Sequence, residues 1–551
     1  MKKEKSLFLH IGFCTLLFIS ISSCDQDILD RKPLNAYSET IVWSNLDLVE
    51  TFVNSKYRAL ANVYRRNTST YLPNALSLSA ASSEGFSQWG YDNVRAWNFG
   101  NVTPDNTSMD AWRQYYVFIR SCNYFFQNID AVQGDTEKKD RLIGEMKFIR
   151  AWSYFDLISR YGGVPLITKV YTLSDSDYMT PRSTYDECLN FIVSELDGAV
   201  DLLPIDYTGN DVGRITKGAA LALKSRALLY AASSLNNPSN DQNKWITAAD
   251  AAKAVIDLGV YTFYQGDYQQ IFLEKFNSEI ILSYNLNATR NDFLGSYENR
   301  MNVYFGPNGY HGWSAYTPSQ YLVDQFEMIN GKMISEAGSG YDPANPYLNR
   351  DPRFYADILF NGAEFRGRAV ETFEGGLDSP QSPIENWNAS KNGYSWRKYA
   401  NEAEPIDENL GSSQNWIMFR LAEIYLNYAE AKYESGDEPT ARDYLNLVRG
   451  RVDMPAVLTS GTDLLKAIRH EREIELCLEG HRFFDVRRWK IAMETENQPL
   501  KGVHIIKEPN GTFTYLYPIF QDRKFLEQHY LFPIPNYETN RNMELTKNPG
   551  Y

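Results

Sequence analysis

Residues 420–451 read RLAEIYLNYAEAKYESGDEPTARDYLNLVRGR, and this stretch predicts two helices that pack against each other. Gly436 is a typical residue just past a helix end, Asp437 can cap the next helix, and Pro439 falls in its first turn. A connection this short forces antiparallel neighbours, as in a helical hairpin of tetratricopeptide size. The apolar stripe of the first helix consists of Leu421, Ile424, Tyr428 and Ala431.

The opposite stripe of this helix is polar, and we expect it to face solvent. It is followed downstream by HEREIELCLEGHRFFDVRRW (470–489), which is dense in charge. Carboxylates four residues apart on one helix face repel unless cations pair with them. We therefore expect a structural ion-pair network here, rather than the acid and base of a glycosidase. The polar stripe comprises Glu423, Asn427, Glu430 and Glu434; the network would join Glu471, Glu475, Glu479 and Asp485 to Arg472, Arg482, Arg487 and Arg488.

Helical periodicity also dominates the first half of the chain. The clearest case is 141–161, RLIGEMKFIRAWSYFDLISRY, which Gly162, Gly163 and Pro165 then end. Tryptophans inside such helical blocks are expected in the core. Further helices are predicted at 183–203, 213–235, 245–258 and 318–329, and the core tryptophans are Trp112, Trp152, Trp245 and Trp489.

The amino terminus predicts export. Residues 1–24 read MKKEKSLFLHIGFCTLLFISISSC: a basic start, an apolar run too short to span a bilayer comfortably, and small residues before Cys24. This order resembles a bacterial lipoprotein signal, in which the cysteine is acylated and becomes the first mature residue. The alternative is an ordinary secretory signal with an incidental cysteine. Residues 25–40 then serve as a tether, and the acidic start of that tether resembles a surface-export signal.

Composition excludes several classes of function. The formal net charge of −14 argues against nucleic acid as a partner, which needs clustered Lys and Arg. Cys122, Cys188 and Cys477 form no CxxC pair and are expected to be single buried residues. We find no zinc-ligand spacing, no HExxH and no GxSxG, and two acids, Asp175 and Asp177, are too few for a calcium loop. We therefore expect no cofactor, no metal and no enzymatic activity.

Several blocks, in this order, resemble the SusD/RagB family of nutrient-binding outer-membrane lipoproteins. The resemblance implies a mostly α-helical fold built on four tetratricopeptide-like helix pairs, with an irregular, loop-rich side that binds the ligand. It also implies that the other side packs against a TonB-dependent transporter barrel of the SusC type. The matching blocks are 141–167, RDPRF (350–354), 420–437, 444–451, 470–489 and the tail YLFPIPNYETNRNMELTKNPGY (530–551).

These expectations divide the chain into segments. Residues 1–23 are the signal peptide, 24–40 the lipidated tether, and 41–551 the SusD/RagB-like domain. Within that domain we expect a mainly helical scaffold at 41–284, a loop-rich ligand region at 285–415, and helical scaffold and tail at 416–551. The middle region is rich in Asn, Gly, Tyr and Trp, and such loops held by a rigid scaffold are typical binding sites.

Aromatic residues are the positive signal for function, since the sequence contains 38 Tyr and 11 Trp. Flat aromatic rings cover the apolar C–H face of a sugar at low entropic cost. Platforms of this kind in the family come from an early loop and a mid-chain loop, which correspond here to the regions around 83–93 and 297–316. The predicted ligand-binding residues are Trp89, Tyr91, Tyr297, Tyr304, Tyr310, Trp313, Arg368, Trp387, Tyr394 and Trp396.

The sequence thus predicts an outer-membrane lipoprotein, facing the exterior, that binds a glycan and delivers it to the transporter. Peptide binding for import is the principal alternative, because aromatic and Asn side chains serve peptides equally well. A surface hydrolase and a structural lid without a ligand are the remaining alternatives.

Overall fold

The computed structural model describes residues 39–60, 74–89, 94–286, 288, 290–291, 296–297 and 299–551. Helices make up most of its regular structure, and they flank a loop-rich middle, as expected. The helices are α1 Glu39–Val42, α2 Leu46–Lys56, α3 Asn74–Ala80, α4 Arg95–Asn98, α5 Trp112–Asn128, α6 Thr136–Tyr161, α7 Tyr185–Val200, α8 Lys217–Ala232, α9 Gln242–Ile256, α10 Met301–Phe305, α11 Gln320–Gln325, α12 Pro352–Asp357, α13 Leu421–Glu434, α14 Glu438–Gly450, α15 Thr462–Glu475, α16 Arg482–Arg488, α17 Ala492–Thr495 and α18 Asn536–Thr539.

The long helices stack side by side into one scaffold. In the first half, α5 packs on α6, α6 on α7, α7 on α8 and α8 on α9. The stack then continues across the loop-rich middle, because α9 also packs on α13, which contacts α14 and α15. The two predicted helical flanks therefore form one continuous body. In the described part of the chain, no helix is both long enough and apolar enough to cross a membrane.

The helices begin and end close to the residues that the sequence predicts. Helix α6 ends at Gly162, whose φ of 74° suits glycine. Helix α7 begins with a capping box between Thr184 and Glu187. The Asp437 side chain accepts from Thr440 N at the start of α14, where Pro439 lies in the first turn. The helical hairpin around Gly436 is thereby confirmed.

The polar stripe of α13 is buried, which corrects the expectation that it faces solvent. Glu423 pairs with Arg226 of α8 at 2.6 Å, and Glu430 pairs with Arg488 of α16 at 2.6 Å. Asn427 accepts from Arg472 at 2.7 Å. Because α13 has neighbours on several sides, its carboxylates meet arginines where an isolated helix would meet water. Of the four stripe residues, Glu434 alone remains partly exposed.

The ion-pair network around α15 exists, but most of its arginines come from elsewhere in the chain. Glu475 pairs with Arg420 at 2.5 Å and with Arg353 at 2.9 Å. Glu479 pairs with Arg420 at 2.7 Å. Glu471 pairs with Arg449 at 3.0 Å. These side chains are buried, so the network ties α12, α14 and α15 to Arg420, which directly precedes α13.

The arginines expected as partners of these three glutamates bind other groups. Arg472 and Arg488 both pair with Asp485, at 3.2 Å and 2.7 Å. Arg482 pairs with Glu473 at 3.0 Å. Arg487 donates to backbone carbonyl oxygens of Phe483 and His529.

The described residues also form short antiparallel strand pairs. Their pairings are β1 with β5, β2 with β10, β3 with β4, β6 with β9, β7 with β8, β11 with β14, and β12 with β13. Their bounds are β1 Gly85–Ser87, β2 Ile280–Tyr284, β3 Arg290–Asn291, β4 Ser296–Tyr297, β5 Tyr316–Pro318, β6 Ile358–Leu359, β7 Glu364–Phe365, β8 Arg368–Ala369, β9 Ser395–Trp396, β10 Trp416–Arg420, β11 Leu500–Lys501, β12 His504–Lys507, β13 Phe513–Leu516 and β14 Ile519–Gln521.

Candidate functional site

Two of the aromatic segments predicted from the sequence lie side by side. Strand β1 pairs with β5 in antiparallel register, with Gly85 opposite Pro318 and Ser87 opposite Tyr316. Gln88 N extends this pairing by donating to Ala315 O at 2.9 Å. The early segment that carries Trp89 is therefore held against the mid-chain segment that carries Trp313.

The third segment, 384–396, joins the other two. Gln88 Nε2 donates to Trp387 O at 3.4 Å, and Asn308 Nδ2 donates to Ile384 O at 2.7 Å. Asn392 Nδ2 donates to Pro318 O at 2.6 Å. Three stretches far apart in sequence thus meet at one place. We call the side chains of Trp89, Trp313 and Trp387 the aromatic surface.

The backbone around the aromatic surface is tightly constrained. His311, Ser314 and Glu385 have positive φ values of 65°, 41° and 38°, which non-glycine residues rarely adopt. Gly312 lies so close to Gly306 that a Cβ atom on it would stand 2.0 Å from the Gly306 carbonyl oxygen. Such strained positions persist only where the surrounding contacts fix them, so the loop holds its side chains in a defined arrangement.

The candidate side chains differ in the fraction of their surface that is exposed. Trp387 is 67% exposed, the highest value among the predicted ligand residues that the structure describes. Trp89 and Trp313 are partly buried against the core, with part of each side chain left accessible. The Trp313 ring lies 5.6 Å from the Tyr304 ring in a near edge-to-face arrangement, which fixes its orientation.

Tyr310 and Arg368 lie in the same loop region but are bound to each other. The Arg368 guanidinium lies 3.8 Å from the centre of the Tyr310 ring, and Arg368 pairs with Asp378 at 2.7 Å. The Tyr310 hydroxyl donates to Phe365 O at 2.7 Å. These contacts hold the loop together, so the prediction that Arg368 contacts ligand receives no support from its position.

Three predicted ligand residues lie in the core and are wrong as surface contacts. Tyr394 and Trp396 are 0% and 1% exposed, and Tyr304 is 4% exposed. The Tyr394 hydroxyl donates to Gln320 Oε1 at 2.6 Å, and Trp396 lies in β9, paired with Ile358 of β6. The Tyr304 ring packs against the Trp313 ring. Burial raises the pKa of the Tyr304 hydroxyl to about 12.

Other predicted positions fall outside the described residues. Tyr91 and Cys24 are among them, and for Tyr297 only the backbone pairing with Arg290 is described. The predictions for their side chains stand as made.

Sequence reasoning missed several polar residues beside the aromatic surface. Gln88 is 3% exposed and joins all three segments. Arg95 Nη2 donates to Gln88 O at 2.9 Å. The Arg300 guanidinium lies 5.9 Å from the Trp313 ring. No periodicity or motif marks these residues, and only their closeness in sequence to tryptophans could have indicated them.

The carboxylates of α15 are poorly suited to acid–base catalysis. Burial alone would raise the pKa of Glu475, but the charges of Arg451, Arg420 and Arg353 hold it well below its usual range. A glycosidase acid needs the opposite shift. The described residues contain no group of three or more His, Cys, Asp or Glu side chains placed to hold a metal ion. Cys122, Cys188 and Cys477 are free and buried, as predicted, and all four core tryptophans are buried as well.

Comparison with known proteins extends over nearly the whole chain. Residues 277–551 match the SusD family, and residues 27–229 match a family described as starch-binding and associating with the outer membrane. A SusD-like protein of Bacteroides fragilis, known from a crystal structure, is 31% identical, with a TM-score of 0.78 and coverage of 95% of this chain and 100% of that one.

Two further relatives give the same result. A SusD-like carbohydrate-binding protein, also from Bacteroides fragilis, is 26% identical with a TM-score of 0.77, over 92% of this chain and 99% of that one. SusD-like protein P38 of Formosa agariphila is 24% identical over 91% of this chain and 95% of its own length. The mostly helical fold expected from the resemblance is confirmed, and the chain belongs to the SusD/RagB family.

Proposed function

We propose that this protein binds glycan chains on its aromatic surface, without cleaving them. The observation that carries the proposal is the convergence of three separate segments on Trp89, Trp313 and Trp387, with ring surface left accessible. Rings held in fixed positions stack on sugar faces and lose little entropy on binding. The carbohydrate-binding relative and the starch-binding family description support the same ligand class.

Buried polar groups beside the rings complete the chemistry. Gln88 Oε1 is buried and has no hydrogen-bond partner among the described residues. A sugar presents hydroxyl groups that both donate and accept, so they can pair with accessible polar atoms beside the rings and reach an enclosed one through water. Stacking would supply most of the affinity, and these hydrogen bonds would fix orientation.

A ligand screen tests the proposal. Purified protein is run on native gels that contain single polysaccharides, and positive ligands are titrated by calorimetry together with a panel of peptides. We expect retardation by at least one glycan class, no response to peptides, and no release of shorter products. Binding of peptides alone would favour the import of peptides, and product release would show a hydrolase.

Single-residue variants then test the location of the glycan-binding site. Trp89→Ala and Trp313→Ala should each weaken glycan binding by roughly tenfold, because each removes one stacking ring. Tyr178→Ala is the matched control, since Tyr178 is 52% exposed on the loop between α6 and α7, outside the three segments. If both tryptophan variants bind like the wild type, the site lies elsewhere.

We further propose that lipid on Cys24 anchors the protein to the outer membrane, facing outward, and that a TonB-dependent transporter of the SusC type receives the glycan. Tethering beside a transporter raises the effective ligand concentration even when a single site binds weakly. A Cys24→Ala variant should leave the membrane fraction, and its cells should lose growth on the glycan. Retention of the variant in the membrane would contradict lipid anchoring at this residue.

A further inference from the structure

Three cationic side chains lie next to the aromatic surface, and the described residues offer them no carboxylate. Arg95 follows the early segment, Lys391 belongs to the third segment, and Arg300 stands beside Trp313. Within the described part of the chain, none of the three forms an ion pair. The chain as a whole carries a net charge of −14, and Glu385, the carboxylate of the third segment, pairs with His311 at 3.0 Å.

Arg95 is fixed in place but keeps donors available. Its Nη2 donates to Gln88 O at 2.9 Å, and its guanidinium lies 5.7 Å from the Phe86 ring. Its Nε is buried and has no hydrogen-bond partner among the described residues. A guanidinium carries five N–H donors, and this one satisfies few of them within the protein.

Lys391 adds a second positive charge close to Arg95. Its loop is joined to the early segment where Gln88 donates to Trp387 O. Lys391 is exposed, and partial burial together with the neighbouring Arg95 charge lowers the pKa of its ammonium from its ordinary value. An anionic group between the two side chains would be attracted by both charges.

Arg300 extends the positive charge to the Trp313 side. Its guanidinium lies 5.9 Å from the Trp313 ring, and its Nε is also without a partner among the described residues. Other arginines of the loop region differ, because Arg397 pairs with Glu402 at 2.7 Å and Arg368 pairs with Asp378 at 2.7 Å. Arg350 and Arg366, which also lack a carboxylate partner, donate instead to backbone carbonyl oxygens. Arg300 has no such acceptor among the described residues.

We propose that the ligand of the aromatic surface is an anionic glycan, which carries carboxylate or sulfate groups along its chain. The proposal rests on the proposed function: the rings take the sugar faces, while Arg95, Lys391 and Arg300 bind the acidic groups. Arginine suits this role because its planar fork matches a carboxylate or sulfate in two parallel hydrogen bonds.

Matched polysaccharides test the proposal and distinguish the two acidic groups. Dextran is compared with dextran sulfate, and methyl-esterified polygalacturonate with polygalacturonate, by calorimetry on the purified protein. We expect the charged member of at least one pair to bind roughly tenfold more tightly than its neutral partner. Its affinity should fall several-fold between about 50 and about 500 mM sodium chloride, because added salt shortens the distance over which charges attract each other.

Charge variants give the second readout. Lys391→Gln and Arg300→Gln should each weaken binding of the anionic probe by about threefold to tenfold, with smaller salt dependence. Lys547→Gln, an exposed lysine in the carboxy-terminal tail, is the control and should bind like the wild type.

Tighter binding of the neutral members, or wild-type affinity in both site variants, would overturn this inference and leave the proposed function standing. Absence of binding to every glycan in a broad panel would overturn both.

Discussion

The scaffold around α15 and the aromatic surface use charged and aromatic side chains in opposite ways. In the scaffold, arginines and glutamates are buried together, and Arg353, Glu471 and Glu475 each meet an oppositely charged partner. At the aromatic surface, Trp387 is 67% exposed, and the cations beside it have no carboxylate partner among the described residues. Residue type alone therefore does not distinguish structure from function, because the same residue types are buried in one region and accessible in the other.

The largest expected effect is on the scaffold. Glu475→Gln leaves Arg353, Arg420 and Arg451 short of a negative charge in a buried site. Breaking such a network costs about 3 to 5 kcal/mol, so the free energy of unfolding in guanidinium should fall by that amount. Lys466→Gln is the control, because its pair with Asp463 is exposed and is worth less than about 1 kcal/mol. Equal effects of the two variants would show that the network is not structural.

Two tryptophans on the same segment should separate stability from binding. Trp396→Ala removes a side chain that is 1% exposed and should cost about 3 to 5 kcal/mol of unfolding free energy. Trp387→Ala removes a ring that is 67% exposed, so it should change stability by less than about 0.5 kcal/mol while weakening glycan binding roughly tenfold. Thermal unfolding and calorimetry measure both quantities. A large loss of stability in Trp387→Ala would show that this ring stabilises the fold.

A loop variant tests whether the arrangement of the rings matters. Gly312→Ala places a Cβ 2.0 Å from the Gly306 carbonyl oxygen, so the loop has to move. We expect a loss of about 1 to 2 kcal/mol in stability and roughly tenfold weaker glycan binding. Gly450→Ala is the control, since a Cβ there meets open space at the end of α14. Wild-type affinity in Gly312→Ala would show that the ligand does not depend on this loop.

The last expected effect concerns pH and lies in the scaffold. Burial and the charges of Arg487 and Lys524 lower the pKa of His529 to about 4. The unfolded chain takes up this proton near pH 6.5, so between these values the unfolded state binds more protons and stability falls as pH falls.

The wild type should therefore lose more unfolding free energy than His529→Gln on acidification through this window. Glu84 and Asp357, whose pKa values burial raises to about 7, titrate in both proteins and cancel in the difference. Denaturant titrations at several pH values measure this difference in unfolding free energy between the two proteins. Parallel curves for the two proteins would show that His529 is not held neutral.

The helical scaffold could be predicted from sequence because its signals are local. Apolar spacing and the stop at Gly162 placed α6, and Gly436, Asp437 and Pro439 placed the hairpin of α13 and α14. The burial of Glu423 and Glu430 could not be predicted, because it depends on arginines far away in the chain. Periodicity shows which side chains share a face, and the packing of distant helices decides whether that face meets water.

The candidate site could be predicted only by region. The segments carrying Trp89, Trp313 and Trp387 do meet, but Tyr394 and Trp396 of the same aromatic stretch turn into the core. Their burial depends on the pairing of β6 with β9 and on Gln320, which are long-range contacts. The positions of Arg95 and Lys391 near the rings could not be predicted, because isolated cations form no sequence motif and only the fold brings them together.

The crystal structure of the protein with a bound oligosaccharide tests the central claim most directly. We expect electron density for sugar rings stacked on at least two of Trp89, Trp313 and Trp387. Density for the ligand elsewhere, with these three rings uncovered, would contradict the account.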